Sequence, residues 1–172
     1  FTREEGPEFI LFHAKKDTFG GNFGSIDYRF LLNVEPLTNI EILKNYNIYY
    51  RNKKFTLFIK NKEDNYISPV TISKNEINWN EWINCPKTDD GISKVKAIIN
   101  YNILGKVRQL LYKDGGYYID YFLTTGEIRT YRFIPKIAKN GIWINPMITN
   151  FNQKNTENTV QKVRFRSSLG YM

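Results

Sequence analysis

The sequence is poor in the residues that most chemistry needs. It holds one histidine, His13, and one cysteine, Cys85. A lone cysteine excludes an internal disulfide; it suits a reducing compartment without ruling out an oxidising one. One His with one Cys also leaves no set for a zinc site or a Cys–His nucleophile. No apolar run approaches the ~20 residues of a membrane helix, and no signal peptide is present. The glycine-rich Gly20–Gly24 (GGNFG) lacks the Lys-Ser/Thr and the following helix of a phosphate cradle. No cofactor and no metal are therefore expected; an all-oxygen loop site is the alternative left open, with Glu63-Asp64 and Asp89-Asp90, which otherwise read as turn residues, its acidic candidates. Alanine is scarce, which disfavours an all-helical chain.

Aromatic residues are abundant instead. The 172 residues include 12 Tyr and 12 Phe, a bias toward pleated, half-buried surfaces. At this length the chain forms one domain and buries a core without disulfides. The formal charge is +8. A basic surface attracts nucleic acid, anionic lipid or acidic glycan. Nucleic acid is disfavoured because no dense Lys/Arg block occurs.

The most informative stretch runs from Gly116 to Ile148. Two runs of β-branched and aromatic residues flank Thr124-Thr125-Gly126, a hairpin signal. A two-residue loop would pair Leu123 with Ile128. A three-residue loop closed by Gly126 in the left-handed region pairs Leu123 with Glu127 instead. The second register is favoured because Thr-Gly is a poor pair for the shorter turn and because it sorts the side chains. Tyr117, Ile119, Tyr121, Leu123, Tyr131 and Phe133 share a core face, with Arg129 near the turn. Tyr118, Asp120, Phe122, Ile128, Thr130, Arg132 and Ile134 share a mixed outer face. Tyr118 then lies opposite Arg132, and Asp120 is one diagonal step from that arginine, an exposed pair.

Residues 1–7 read as a lead-in and residues 8–172 as a single β-sandwich domain. Strands are expected at Glu8–Ala14, Ser25–Val34, Tyr66–Ser73, Lys94–Tyr101, Lys106–Tyr112, Gly141–Ile144 and Val160–Ser167. A hairpin spans Tyr46–Lys60 and turns at Asn52-Lys53. Leu37–Asn45 suits a short helix, Glu76–Asp90 a long loop with a turn of helix, and Ile137–Gly141 a short bridge. The last strand alternates, with Lys162, Arg164 and Arg166 on one face and Val163 and Phe165 on the other. About ten short strands with no long helix is the pattern of an all-β sandwich or barrel.

The segment IDYFLTTGEIRTYRFIPKIAKNGIWINPMI, followed by a polar gap and VQKVRFRSS, resembles the end of β-sandwich domains at the C-terminus of polytopic bacterial membrane proteins. The resemblance rests on Gly126, the Arg129–Arg132 stretch, Gly141 with Ile144-Asn145-Pro146, and Lys162–Arg166. It covers about the last third of the chain. It implies a jelly roll of galactose-binding type facing the extracytoplasmic, periplasmic or cell-surface, side. It carries no catalytic residue. The chain begins at Phe1 rather than Met, and the expectation that follows is a transmembrane region N-terminal to it that tethers the domain to the membrane.

Candidate site residues are few. Trp79 and Trp82 with Asp89 and Asp90 form the most suggestive cluster, since sugars stack on exposed aromatic rings while carboxylates take their hydroxyls. The alternative is that these tryptophans plug one end of the sandwich. Lys162, Arg164 and Arg166 form a basic surface suited to anionic headgroups or glycan. His13 reads as structural or surface. The resulting expectation is a non-catalytic accessory domain of a membrane protein that recognises glycan or stabilises its parent. Its rivals are a secreted carbohydrate-binding module and a glycan-active enzyme with two facing carboxylates.

Overall fold

A computed structural model describes residues 6–13, 26–52, 54–62, 68–86, 91–103, 106, 116–148 and 159–168. Among them the chain forms nine strands in antiparallel sheets, with α-helices at two places between them: β1 Phe9–His13, α1 Pro36–Asn45, β2 Tyr46–Arg51, β3 Phe55–Lys60, β4 Trp82–Asn84, β5 Ser93–Val95, β6 Tyr117–Leu123, β7 Ile128–Phe133, α2 Pro135–Ala138, β8 Ile142–Asn145 and β9 Val160–Ser167; Ile103 and Lys106 are helical as well. The fold is mostly β. The longest of these helices, α1, has 10 residues.

The central sheet has the order β4-β9-β6-β7; β1-β3-β2 forms a second sheet and β5-β8 a third. The expected hairpin is β6–β7, in the longer-loop register. Tyr118 pairs with Arg132 and Ile119 with Tyr131. Leu123 donates its N–H to the Glu127 carbonyl at 2.9 Å, and Gly126 has φ +85°. Only glycine enters that region without a steric penalty, so the turn type and the residue agree. The core face is as read: Ile119, Tyr121, Leu123 and Tyr131 are buried, and Val163 and Phe165 of β9 extend the same face. A bulge between Phe122 and Leu123 in the β6–β9 ladder leaves Gln161 without a partner on β6, although its carbonyl accepts the Cys85 N–H on the other edge at 2.8 Å. It lets both Val160 and Val163, three apart, reach the core.

A second layer covers this face. Phe30, Leu32, Ile40 of α1, Ala138 of α2 and Ile142, Trp143 and Ile144 of β8 complete one apolar cluster. All four residues of β8 are buried, which explains the apolar run Ile142-Trp143-Ile144. Polar side chains tie the layers together. Asn33 Nδ2 donates to the Tyr121 hydroxyl at 2.9 Å, that hydroxyl donates to the Trp143 carbonyl at 3.0 Å, and the Trp143 N–H donates to Asn33 Oδ1 at 2.7 Å. Burial pushes the Tyr121 phenol well above its usual range. Asn145 clamps β9 in the same way, donating to the Val160 carbonyl and accepting its N–H.

Several expected elements differ. Ser25–Val34 is no strand within its described part: Ile26–Tyr28 and Leu31–Asn33 are 3-10 turns. The tight winding sends both Phe30 and Leu32 inward, and Asn33 takes the backbone bond that a strand would have supplied. Ser68–Ser73 carries no strand, consistent with the donor that Pro69 removes. The loop expected at 76–90 contains β4. The strand expected at Lys94–Tyr101 shortens to β5. Of the strand expected at Lys106–Tyr112 only Lys106 is described, and its N–H donates to the Asn102 carbonyl in a helical bond. Asp120 is buried and not an exposed partner of Arg132; Arg132 instead lies 3.6 Å from Asp27.

Candidate functional site

The outer face of the central sheet is where the chemistry collects. Pairing fixes its layout, because directly opposed residues share a face. One row runs Asn84, Lys162, Phe122, Ile128; the next runs Trp82, Arg164, Asp120, Thr130; the third runs Arg166, Tyr118, Arg132. Basic, aromatic and hydrogen-bonding groups alternate across it.

Asp120 is the hub, with only 1% of its surface exposed. Its Oδ2 accepts from Arg164 Nε at 2.9 Å and Arg166 Nε at 2.7 Å. Its Oδ1 accepts from Arg166 Nη2 at 2.8 Å and the Thr130 hydroxyl at 2.7 Å. Burial alone would push the carboxyl up; the bonds from Arg166, Thr130 and Arg164, with the Arg166 charge, outweigh it and hold the group below the usual carboxylate range. Arg166 is raised in turn by its bond to Asp120. Two guanidinium groups share one carboxylate, so this cluster keeps a net positive charge. Lys162 adds to it on the same face.

Each arginine also lies against a ring. The Arg164 guanidinium carbon is 4.5 Å from the Trp82 ring centroid, and that of Arg166 is 5.8 Å from the Tyr118 ring. Such contacts contribute about 0.5–1 kcal/mol at exposed sites. Their larger effect here is positional. Asp120 holds each guanidinium from one side and a ring supports it from another, so the cations are set before a ligand arrives.

The expected basic strand is therefore a real face: Lys162, Arg164 and Arg166 stand together on it. The two tryptophans divide. Trp82 lies on this face, edge-on to Phe122 at 6.1 Å. Trp79 stacks on the buried Tyr117 at 5.8 Å on the core side. The two indoles thus engage opposite faces of the sheet. Asp89 and Asp90 lie outside the described residues, as do Glu63 and Asp64. His13 is exposed on β1. Cys85 packs against the core, and burial pushes its thiol up to about 12. Among the described residues no cluster of three His, Cys, Asp or Glu could hold a metal, and no helix is long and apolar enough to cross a membrane.

Asp120, Tyr118, Phe122 and Thr130 join the site although the sequence marked none of them as ligand-binding. The period-2 alternation of β6 did put them on the outer face. The pairing of β6 with β9 across more than 40 residues, which brings the arginines to Asp120, left no local trace.

No family model matches the chain, and comparison with curated proteins and with solved structures finds no match for it.

Proposed function

We propose that the chain is a non-catalytic recognition domain whose outer sheet face binds an acidic glycan, one bearing carboxylate or sulfate groups. The observation that carries this is the pre-set pair of guanidinium groups on Asp120, each against an aromatic ring. Guanidinium forks match carboxylate and sulfate oxygens, and the rims of Trp82 and Tyr118 offer apolar surface to the C–H faces of sugar rings. A glycosidase mechanism needs two facing carboxylates about 5–9.5 Å apart. The carboxylate at the centre of this face already accepts four hydrogen bonds from three residues, which supports binding over hydrolysis.

The same reading extends to context. The mostly β architecture is compatible with a jelly roll of galactose-binding type, and we place the domain outside the cytoplasm, as an accessory part of a membrane protein. The mixture of basic and apolar surface supports work beside an anionic interface. A secreted carbohydrate-binding module would use the same face and differ only in what precedes it.

The test is an oligosaccharide array with neutral, uronic and sulfated members. Binding is expected to the acidic members alone and to weaken with salt. Arg166→Gln should lower affinity roughly tenfold, the effect of about one charge-assisted hydrogen bond. Equal binding to neutral sugars, or no binding at all, would overturn the proposal.

A further inference from the structure

The third row of the outer face, Arg166, Tyr118 and Arg132, carries the site away from Asp120 toward the β7 edge. The middle of this row is shaped by a glycine. A Cβ on Gly116 would lie 2.7 Å from the Tyr118 hydroxyl, 2.8 Å from Cε2 and 3.0 Å from Cζ. A tyrosine whose tip reaches the residue two places back lies along its strand, whereas strand side chains ordinarily stand off the sheet. Only a residue without a Cβ leaves that room. Tyr118 is consequently a floor between the two arginines and not a post.

The arginines at its two ends are held differently. Arg166 is bonded to both oxygens of Asp120. Arg132 turns the other way, and its Nη1 is 3.6 Å from the Asp27 carboxylate, which is also 3.9 Å from Arg29. Both separations exceed hydrogen-bond length. The Asp27 and Arg132 side chains are 53% and 41% exposed, so water competes for the pair. The backbone that brings Asp27 here is strained: Asp27 and Tyr28 have φ +64° and +55°, a region that bulky residues rarely enter. A bridge between Arg29 and Arg132 holds this segment against β7. Strain retained beside a binding face points to function. Here it sets a loosely held carboxylate on a cation, which is the group an acidic ligand would bring.

Spacing defines the ligand further. Arg166 and Arg132 stand two strands apart, about 9.5 Å between their Cα positions. Two linked pyranose rings span a similar length. Granted that this face binds acidic glycan, the geometry points to a second subsite at Arg132, so that the ligand carries its acidic groups on alternate sugars. One acid sits at the Asp120 arginines, the next replaces Asp27 on Arg132, and the sugar between them lies on Tyr118.

The test is calorimetric titration with three tetrasaccharides: one bearing a single uronic acid, one bearing two on alternate sugars and one bearing two on neighbouring sugars. The alternating ligand should bind about tenfold more tightly than the single-acid ligand, the gain of one further charge-assisted contact, and the neighbouring-acid ligand should not match it. Arg132→Gln should erase that advantage. Asp27→Asn should enlarge it by removing the competing carboxylate, whereas a purely structural ion pair would leave the ratio of affinities alone. Gly116→Ala should reduce it with the thermal melt nearly unchanged, because the atoms in the way are the movable end of Tyr118. Equal affinity of the wild type for the alternating and single-acid ligands would overturn the subsite and leave the glycan face standing. So would a ratio that Arg132→Gln does not change. No binding of any of the three would overturn the glycan face itself and the subsite with it.

Discussion

Asp120 illustrates how a single side chain decides the character of a surface. A buried carboxylate is costly unless its oxygens are satisfied, and here two arginines and a threonine satisfy both. Asp120→Asn should therefore destabilise the fold by about 1.5–3 kcal/mol at neutral pH, a range kept low because both arginines retain access to water. The effect must depend on pH. The folded carboxyl is held below its unfolded value, so its contribution is present above about pH 4 and is lost as pH falls through the lower folded value. Denaturant melts of wild type and variant should differ at pH 7 and converge in strong acid. Cys85 gives the opposite case. With its thiol pushed up to about 12, almost no thiolate exists near neutral pH. Alkylation of the native protein at pH 8 should be far slower than alkylation in denaturant; equal rates would show that the side chain is accessible.

The β6–β7 hairpin shows what local sequence can encode at the scale of an element. Its turn, register and faces follow from Thr124-Thr125-Gly126 and the alternation on either side, because those determinants lie within a few residues of one another. No heavy atom lies within 4 Å of the Cβ position that an alanine at 126 would occupy, so only the backbone resists it. Gly126→Ala should cost about 1 kcal/mol in a denaturant melt, and a neutral result would contradict the left-handed conformation. The helix behind Pro36, the hairpin around Asn52 and the alternation of β9 were legible for the same reason. The 3-10 turns at 26–33 were not, since Phe30, Leu32 and Asn33 take their positions from Tyr121 and Trp143 far along the chain. Nor was β4, whose three residues qualify as a strand only because β9 lies beside them. The candidate site divides likewise. The basic stripe was visible in β9 alone, while its carboxylate hub and the separation of Trp79 from Trp82 depend on which strands meet.

At the scale of the molecule, the layers are held by apolar burial and pinned by a few polar ties. Asn33 closes a ring of bonds with Tyr121 and Trp143 inside the core. Asn33→Ala should cost about 1–3 kcal/mol, because the Trp143 N–H would be buried without its acceptor. A thermal melt unchanged by that substitution would show that the ring is dispensable. The order β4-β9-β6-β7 has a further consequence, for synthesis. One of its two interior strands, β9, leaves the ribosome after every other described strand. Until residue 167 has emerged, β6 and β4 flank an empty slot, and two open strand edges are offered to any neighbouring chain. A nascent chain stalled before residue 160 should therefore remain protease-sensitive and bind holdase chaperones, and a β9 peptide supplied separately should compete for the slot.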